Sequence, residues 1–329
     1  MSMIASAIRE LAASKGSASI AAGFFDKKIQ VWDVKSEKMI CEFAAVFQMG
    51  ALNLAVAPDA GVLVTGLSRR AGVLAAYEIP SGRKLWERER LIYPRYLGFD
   101  STGKSILCTV NEGRSVLRLE PGSGGTIEEI KGCSRYIDGS YTGALRVPAA
   151  KKLRFHVLQV YDASHRVERL SVPVEEKKRP YRLTAGNHSF EISAFGIALL
   201  DATFSPHSVC LSESRGSVRC VSCVDGKQQW TFDPGAESNV PHVHFAPRLN
   251  AFFGVLRHLN NKHNRRLLRF DVTSGACEQV CDLGVHAWDV AFLDVTDQLV
   301  STSGEIRNLS DGELAGRLAF PQREYHPAE

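Results

Sequence analysis

Two histidines, His242 and His244, have a spacing that could bind a metal ion. One residue separates them within an extended apolar run, so a strand would place both imidazoles on one face. A metal site would need a third ligand, and His207 and His286, the comparable histidines elsewhere, belong to no motif. The alternative is a polar strand end whose histidines bond to the backbone. We therefore predict no metal ligand here.

The cysteines give a second candidate for metal binding. Cys220 and Cys223 form C-x-x-C, and Cys277 and Cys281 form C-x-x-x-C. Within a strand, an odd spacing directs two sulfurs to opposite faces, and the two residues between Cys220 and Cys223 are not a tight zinc-knuckle turn. Eight cysteines spread over a long chain also differ from a disulfide scaffold. We predict free core and edge thiols in a reducing compartment, the cytoplasm.

Two basic stretches could bind a partner. Residues 175–182 read EEKKRPYR, and residues 257–269 read RHLNNKHNRRLLR. Both are expected in loops, where lysine and arginine could contact phosphates or an acidic protein. One tyrosine gives little opportunity for base stacking, so an acidic protein is preferred to nucleic acid. The alternative is a solvated hairpin loop. The predicted partner-binding residues are Lys177, Lys178, Arg179, Tyr181, Arg182, Arg257, His258, Lys262, His263, Arg265 and Arg266.

The sequence contains no familiar catalytic motif. A nucleophile elbow, a P-loop, a dinucleotide-binding glycine motif and a zinc-binding His-Glu helix are all missing. The glycine-rich segment 122–125 is expected to be a hairpin turn. We therefore predict no enzyme, no catalytic residue and no cofactor. A hydrolase whose carboxylates and histidines gather from distant segments stays an alternative.

Composition indicates an ordinary globular chain. Apolar residues make up 44% and charged residues 23%, and the net charge of +4 is too small for a dedicated nucleic-acid binder. No apolar run reaches the ~18 residues of a membrane span, and the first residues lack the apolar region of a secretory signal. We expect no membrane insertion.

The elements that position these residues are short strands. Residues 19–43 read as strand, turn, strand, turn, strand, with Ile29 and Val31 on one face and Gln30 and Trp32 on the other. Similar units recur every 40 to 60 residues or so. The turn before each final strand lies at Glu37, Gly82, Gly124, Arg166, Gly226, Gly275 and Gly312. We predict one domain of seven units at about 1–43, 44–87, 88–130, 131–172, 173–233, 234–283 and 284–320, with a flexible tail at 321–329.

Trp32-Asp33 resembles the dipeptide that ends the third strand of a WD40 blade. Residues 76–86, AYEIPSGRKLW, resemble the tryptophan-docking pattern of quinoprotein propellers, and Gly226 with Trp230 repeats its last part. The chain thus resembles the WD40-like and quinoprotein-like propeller superfamily. The resemblance implies an all-β, seven-bladed β-propeller of four-stranded antiparallel blades. It assigns Trp32, Asp33, Trp86 and Trp230 structural roles, with Trp86 and Trp230 packed between blades.

Three functions remain open at this stage. The preferred one is a non-catalytic interaction module that binds or blocks a protein, for example an inhibitor or immunity protein for a toxin or effector. The alternatives are a hydrolase or isomerase acting on a small sugar-like or lactone-like molecule in the channel, and a nucleic-acid or phosphoinositide binder using the basic loops. Carboxylates and histidines with shifted pKa values around the axis would favour the hydrolase.

Overall fold

The computed structural model shows a chain built from β-strands. It describes residues 8–45, 51–68, 72–91, 95–100, 102–110, 115–131, 135–137, 141–146, 154–155, 157–162, 173–174, 180–185, 188–193, 199–213, 217–222, 224–225, 227–258, 265–284, 287 and 289–321. Within these residues lie six four-stranded antiparallel sheets, one five-stranded sheet and one two-stranded sheet. The prediction of an all-β chain of four-stranded antiparallel units is therefore confirmed for six of the units.

Three of the four-stranded sheets precede the five-stranded sheet. The first consists of β1 Ile8–Ala13, β2 Ser19–Phe24, β3 Lys28–Asp33 and β4 Lys38–Ala44. The second consists of β5 Ala51–Val56, β6 Val62–Ser68, β7 Gly72–Glu78 and β8 Lys84–Leu91. The third consists of β9 Arg95–Phe99, β10 Ile106–Val110, β11 Ser115–Leu119 and β12 Thr126–Lys131.

The five-stranded sheet differs from the predicted pattern. It contains β13 Arg135–Ile137, β14 Tyr141–Arg146, β16 Val157–Asp162, β18 Pro180–Ala185 and β19 His188–Ser193. β15 Arg154–Phe155 and β17 Pro173–Val174 form a separate pair. β16 and β18 pair in parallel, so this unit is not a simple four-stranded meander. The sequence prediction was wrong here because pairing across a long connection leaves no local signal.

Three four-stranded sheets follow. They are β20 Leu199–Phe204, β21 Ser208–Glu213, β22 Val218–Ser222 and β23 Gln228–Phe232; then β24 Ser238–Ala246, β25 Ala251–His258, β26 Arg265–Asp271 and β27 Cys277–Asp282; then β28 Val290–Leu293, β29 Gln298–Ser301, β30 Glu305–Asn308 and β31 Leu314–Arg317.

The sheets pack face to face and close on themselves. The first strands of neighbouring sheets touch, as β5 does with β1 and β9, and β28 also contacts β1. An apolar cluster joins the last sheet to the first, with Trp32 and Phe320 in an edge-to-face contact at 5.7 Å. Ile29 and Val31, on the opposite face, pack against the second sheet. The first sheet therefore buries both of its faces, which a single meander cannot do.

The turn between the third and fourth strands repeats one local motif. An acidic residue accepts a hydrogen bond from the hydroxyl of the serine three positions later, in the pairs Asp33 and Ser36, Glu78 and Ser81, Glu120 and Ser123, and Asp271 and Ser274. The next residue has a positive φ, as in Glu37 (55°), Gly82 (69°), Gly124 (69°) and Gly275 (70°). Glycine adopts this conformation without steric penalty, which explains why glycine marks the predicted period.

Candidate functional site

The side chains with catalytic or binding chemistry meet where the β24–β27 sheet faces the β28–β31 sheet. His242 Nε2 lies 3.6 Å from Asp289 Oδ1, and His244 Nε2 lies 2.9 Å from Asp294 Oδ1. The His244 ring also stacks on Phe292, with 4.5 Å between the centroids. The predicted pair of imidazoles on one strand face is therefore present, and each imidazole lies close to a carboxylate that flanks β28.

Asp289 connects this interface to the first sheet. It lies immediately before β28, one carboxylate oxygen accepts the Leu11 backbone N–H at 3.2 Å, and the other accepts its neighbour's N–H at 3.0 Å. The carboxyl group of Glu10, on β1, interacts electrostatically with Asp289. Burial, with the Asp289 charge as the second cause, raises the pKa of Glu10 to about 8. The Glu10 carboxyl is therefore mostly protonated at neutral pH.

A row of polar residues crosses the β24–β27 sheet near this point. Asn239 on β24 pairs with Arg257 on β25, and Arg257 pairs with Arg265 on β26. Paired residues share a sheet face, so the two arginines are direct cross-strand neighbours. Arg257 Nε donates a hydrogen bond to Asn239 Oδ1 at 3.3 Å. Arg265 is 8% exposed, and its Nε and Nη1 are buried without a hydrogen-bond partner.

The Arg265 guanidinium is electrostatically unfavourable where it lies. Burial lowers its pKa, and the nearby Arg257 charge lowers it further, while Asp289 acts in the opposite direction. Beside the arginines, the hydroxyl of Ser238 lies 2.7 Å from Nδ1 of His258. Donors therefore outnumber the available acceptors at this end of the sheet.

The basic stretches lie differently from the sequence prediction. Arg257 and His258 belong to β25 and Arg265 and Arg266 to β26, so the prediction that these four lie in a loop was wrong. Arg266 is on the opposite side of the strand from Arg265 and lies 3.6 Å from Asp282. Lys262 and His263 fall outside the described residues. The charged residues at these strand ends obscure the alternation of apolar and polar residues by which a strand is recognised in a sequence.

The other basic stretch was also predicted as a loop. Tyr181 and Arg182 instead belong to β18, so that prediction was wrong for them. Lys177, Lys178 and Arg179 fall outside the described residues. Whether any of these side chains contacts a partner stays a prediction.

Metal ligands do not gather in the described part of the chain, where no three His, Cys, Asp or Glu side chains are placed to hold an ion. Cys220 is fully buried, and burial raises the pKa of its thiol to about 12. Cys277 is exposed and Cys281 partly buried. Cys223 and His286 lie outside the described residues.

Trp86 and Trp230 occupy interfaces between sheets. Trp86, on β8, donates its indole N–H to the Pro121 carbonyl of the third sheet at 2.7 Å. A Cβ on Gly124 would come within 2.7 Å of the Trp86 ring. Trp230 repeats this arrangement with the Val272 carbonyl, at 3.0 Å, and with Gly275. Each ring thus requires a glycine in the turn of the next sheet.

Trp32 and Asp33 have different roles. The Trp32 indole N–H donates to Gln30 Oε1 at 3.2 Å, within the contact between the first and last sheets. Asp33 accepts the Lys35 backbone N–H at 3.0 Å and so shapes the turn before β4. Both residues therefore contribute contacts to the fold.

Solved structures with the same arrangement contain WD40 repeats. The WD40 repeats of RRP9 align with a TM-score of 0.60 and 13% identity, over 90% of this chain and 87% of that one. The C-terminal WD40 domain of Sif2 aligns with a TM-score of 0.60 and 10% identity, over 91% and 93% of the two chains. The chain has a WD40-like β-propeller fold. A chain in the crystal structure of the Mitotic Checkpoint Complex is also similar, with a TM-score of 0.60, 14% identity and 92% and 88% coverage.

No protein-family model and no curated protein matches the sequence. The structural likeness therefore confirms the predicted WD40-like propeller resemblance at the level of fold. No helical segment with the length and apolar character of a membrane span occurs in the part of the chain that the structure describes.

The sequence prediction missed Glu10, Asp289, Asn239 and the buried setting of Arg265 as neighbours. They come from the first, fifth and sixth of the four-stranded sheets, and these segments are far apart in the chain. One signal was available: Asp289 is a carboxylate within the inner strand predicted at residues 287–293, where a side chain can bond to the adjacent sheet.

Proposed function

We propose that this chain is a non-catalytic protein-interaction module built as a seven-bladed propeller. In this proposal the five-stranded sheet is the fourth blade, between three four-stranded blades on either side. The observation that carries the functional proposal is the WD40-like fold over about nine-tenths of the chain. A rigid ring presents loops and strand ends as a continuous surface, which suits recognition of another protein.

The polar end of the β24–β27 sheet supports a partner-binding surface there. Arg257 and His258 are half-buried at the end of β25, and Arg265 begins β26 with donors that lack partners. The concrete form that we propose is an inhibitor or immunity protein that occludes the active site of a toxin or effector. We also propose a reducing, cytoplasmic setting, which the free thiols of the six described cysteines support.

Affinity capture tests the proposal. The tagged full chain is used as bait in lysate of its native cell at moderate salt, and captured proteins are identified by mass spectrometry. We expect one stoichiometric protein partner, and an unrelated WD40 propeller serves as the control bait. Recovery of nucleic acid, with affinity that falls steeply with salt, would instead indicate the nucleic-acid alternative. A folded bait that captures nothing would contradict the interaction module.

A second candidate function rests on the carboxylates where the first and last sheets meet. A mostly protonated Glu10 close to Asp289, which itself lies 3.6 Å from His242, is a grouping that can donate and accept protons. This observation favours a hydrolase acting on lactone-like or sugar-like molecules. The test is hydrolysis of a lactone panel by the wild type and by Glu10→Gln. Turnover that disappears in Glu10→Gln but not in Glu129→Gln, an exposed control, would support it, and no turnover would exclude these substrates.

A further inference from the structure

The arginines of the β24–β27 sheet lie at the margin of an apolar interface. Arg257 continues the face of β25 that carries Phe253 and Val255, and Arg265 continues the face of β26 that carries Leu267. These apolar residues pack against the last sheet. The two guanidinium groups therefore lie at the edge of the buried apolar contact between the two sheets, where water cannot fully solvate them.

Within the part of the chain that the structure describes, no anionic side chain forms an ion pair with Arg257 or Arg265. Directly opposed like charges on neighbouring strands are unfavourable, and buried donors without acceptors add a desolvation penalty. Arg265 has both problems, because it is paired with Arg257 in register and two of its nitrogens have no hydrogen-bond partner among the described residues. An oxyanion between the two guanidinium groups would remove both penalties at once.

The nearby carboxyl groups are either hydrogen-bonded elsewhere or mostly neutral. Asp289 accepts two backbone N–H groups and lies close to His242. Glu10 is mostly neutral at pH 7, since its pKa is about 8. The arginines therefore have no intramolecular anion at hydrogen-bond distance among the described residues. Asp289 does, however, make this position unfavourable for a single group that carries two negative charges, such as a phosphate dianion.

We propose that Arg257 and Arg265 form a binding site for a carboxylate group. The planar guanidinium fork matches a carboxylate in two parallel hydrogen bonds, and a single negative charge is tolerated beside Asp289 better than a phosphate dianion. Asn239 holds Arg257 in place through its side-chain oxygen. The source that we assign, an acidic side chain of a protein partner, rests on the proposed function. A free small carboxylic acid offers the same chemistry.

Calorimetric titration tests the site directly. The probes are hexaglutamate with acetylated and amidated ends, the matching hexaglutamine peptide, and glutarate. We expect hexaglutamate to bind and hexaglutamine not to bind. Arg265→Met should weaken binding about tenfold or more, because the charged donor is lost from a partly desolvated site. Arg269→Gln, on the same strand and with the same change in net charge, should leave it unchanged, since Arg269 is exposed beside Glu278.

Thermal unfolding of the free protein separates a binding role from a structural one. If Arg265 binds a ligand and does not stabilise the free protein, Arg265→Met should melt at the same temperature as the wild type or ~1–3 °C higher. The reason is that the substitution removes a buried charge that has no partner in the free protein. A clear fall in melting temperature would assign the residue to the fold. Arg257→Gln is the second variant if Arg265→Met does not fold, and it should also lose the hexaglutamate response.

The outcomes distinguish the site from the function. Tighter binding of hexaglutamate than of glutarate identifies a protein side chain as the source, whereas equal or tighter glutarate binding identifies a free acid. Absence of binding by both carboxylate probes at ~10 mM, or equal binding by Arg265→Met, overturns the site. Carboxylate binding by a bait that captures no partner would refute the proposed function alone, and capture unaffected by Arg265→Met would refute the assignment of the site to the partner's side chain alone.

Discussion

Replacing Glu10 with glutamine should change how the stability of the protein depends on pH. Burial and the Asp289 charge raise the pKa of Glu10 from 4.5 to about 8. Between these values the folded protein holds a proton that the unfolded chain releases, so stability falls as pH rises, by up to ~1.4 kcal/mol per pH unit. The ceiling over the window is ~5 kcal/mol, and we expect about half, because water reaches the edge of this half-buried side chain.

Glutamine mimics the protonated carboxyl and does not titrate. Glu10→Gln should therefore match the wild type near pH 5 and be more stable by ~2–3 kcal/mol at pH 8.5. The assay is urea unfolding followed by tryptophan fluorescence at pH 5, 6, 7 and 8.5. The difference between the two proteins isolates Glu10 from other titrating groups. The charged groups facing it are Asp289 from the last sheet and Arg9 on its own strand.

A control with the opposite sign is available in Glu42. The hydrogen bond from the Gln30 side chain is the main cause that lowers the pKa of Glu42, so its carboxylate stabilises the fold above the unfolded pKa and this effect disappears in acid. Glu42→Gln should thus lose stability at neutral pH but not in acid. A stability difference between Glu10→Gln and wild type that stays constant from pH 5 to 8.5 would refute the assignment of a raised Glu10 pKa.

Three further predictions concern the contacts between sheets. Gly275→Ala should lower stability by ~2–4 kcal/mol, because the residue has a φ of 70° and an added Cβ would overlap the Trp230 ring. Gly284→Ala is the control: its φ is 75° but the space around it is open, so it should lose only ~1 kcal/mol. Equal losses of stability in chemical denaturation would contradict the packing argument. Trp230→Phe should lower stability by ~1 kcal/mol, because the indole hydrogen bond is lost. Trp230→Ala should lower it by ~3–5 kcal/mol, because the packed ring is lost as well, and an unchanged melting temperature in this variant would contradict packing between the sheets. Asp271→Ala should be more destabilising than Ser274→Ala, because the carboxylate accepts bonds from two backbone N–H groups and a hydroxyl; the opposite order in thermal unfolding would show that the serine shapes the turn.

The repeated turn shows how much of the fold could be predicted from sequence. Gly82, Gly124 and Gly275 marked the period because a backbone with positive φ favours glycine. Glu37 has the same conformation, with a φ of 55°, and was found only by its spacing. The acidic residue and serine before each of these positions were an unused signal that would have strengthened the repeat.

The five-stranded sheet shows why part of the fold was not predictable. β18 pairs in parallel with β16, and β19 extends the sheet further. Strand pairing across a connection of this length depends on which edge is free once the neighbouring sheets have packed. No alternation of apolar and polar residues within Pro180–Ala185 carries that information.

The sequence by itself determined the all-β class, the period and the glycines on which the tryptophans pack, because turn chemistry and side-chain alternation are local properties. It also placed His242 and His244 on one strand face. Only the tertiary structure decided that Arg265 lies against Arg257, and that Asp289 meets both His242 and the first sheet. These residues come together because strand register pairs neighbouring strands and because the closed ring joins segments from the two ends of the chain. The resulting arrangement of charged side chains, rather than any sequence motif, defines the candidate site.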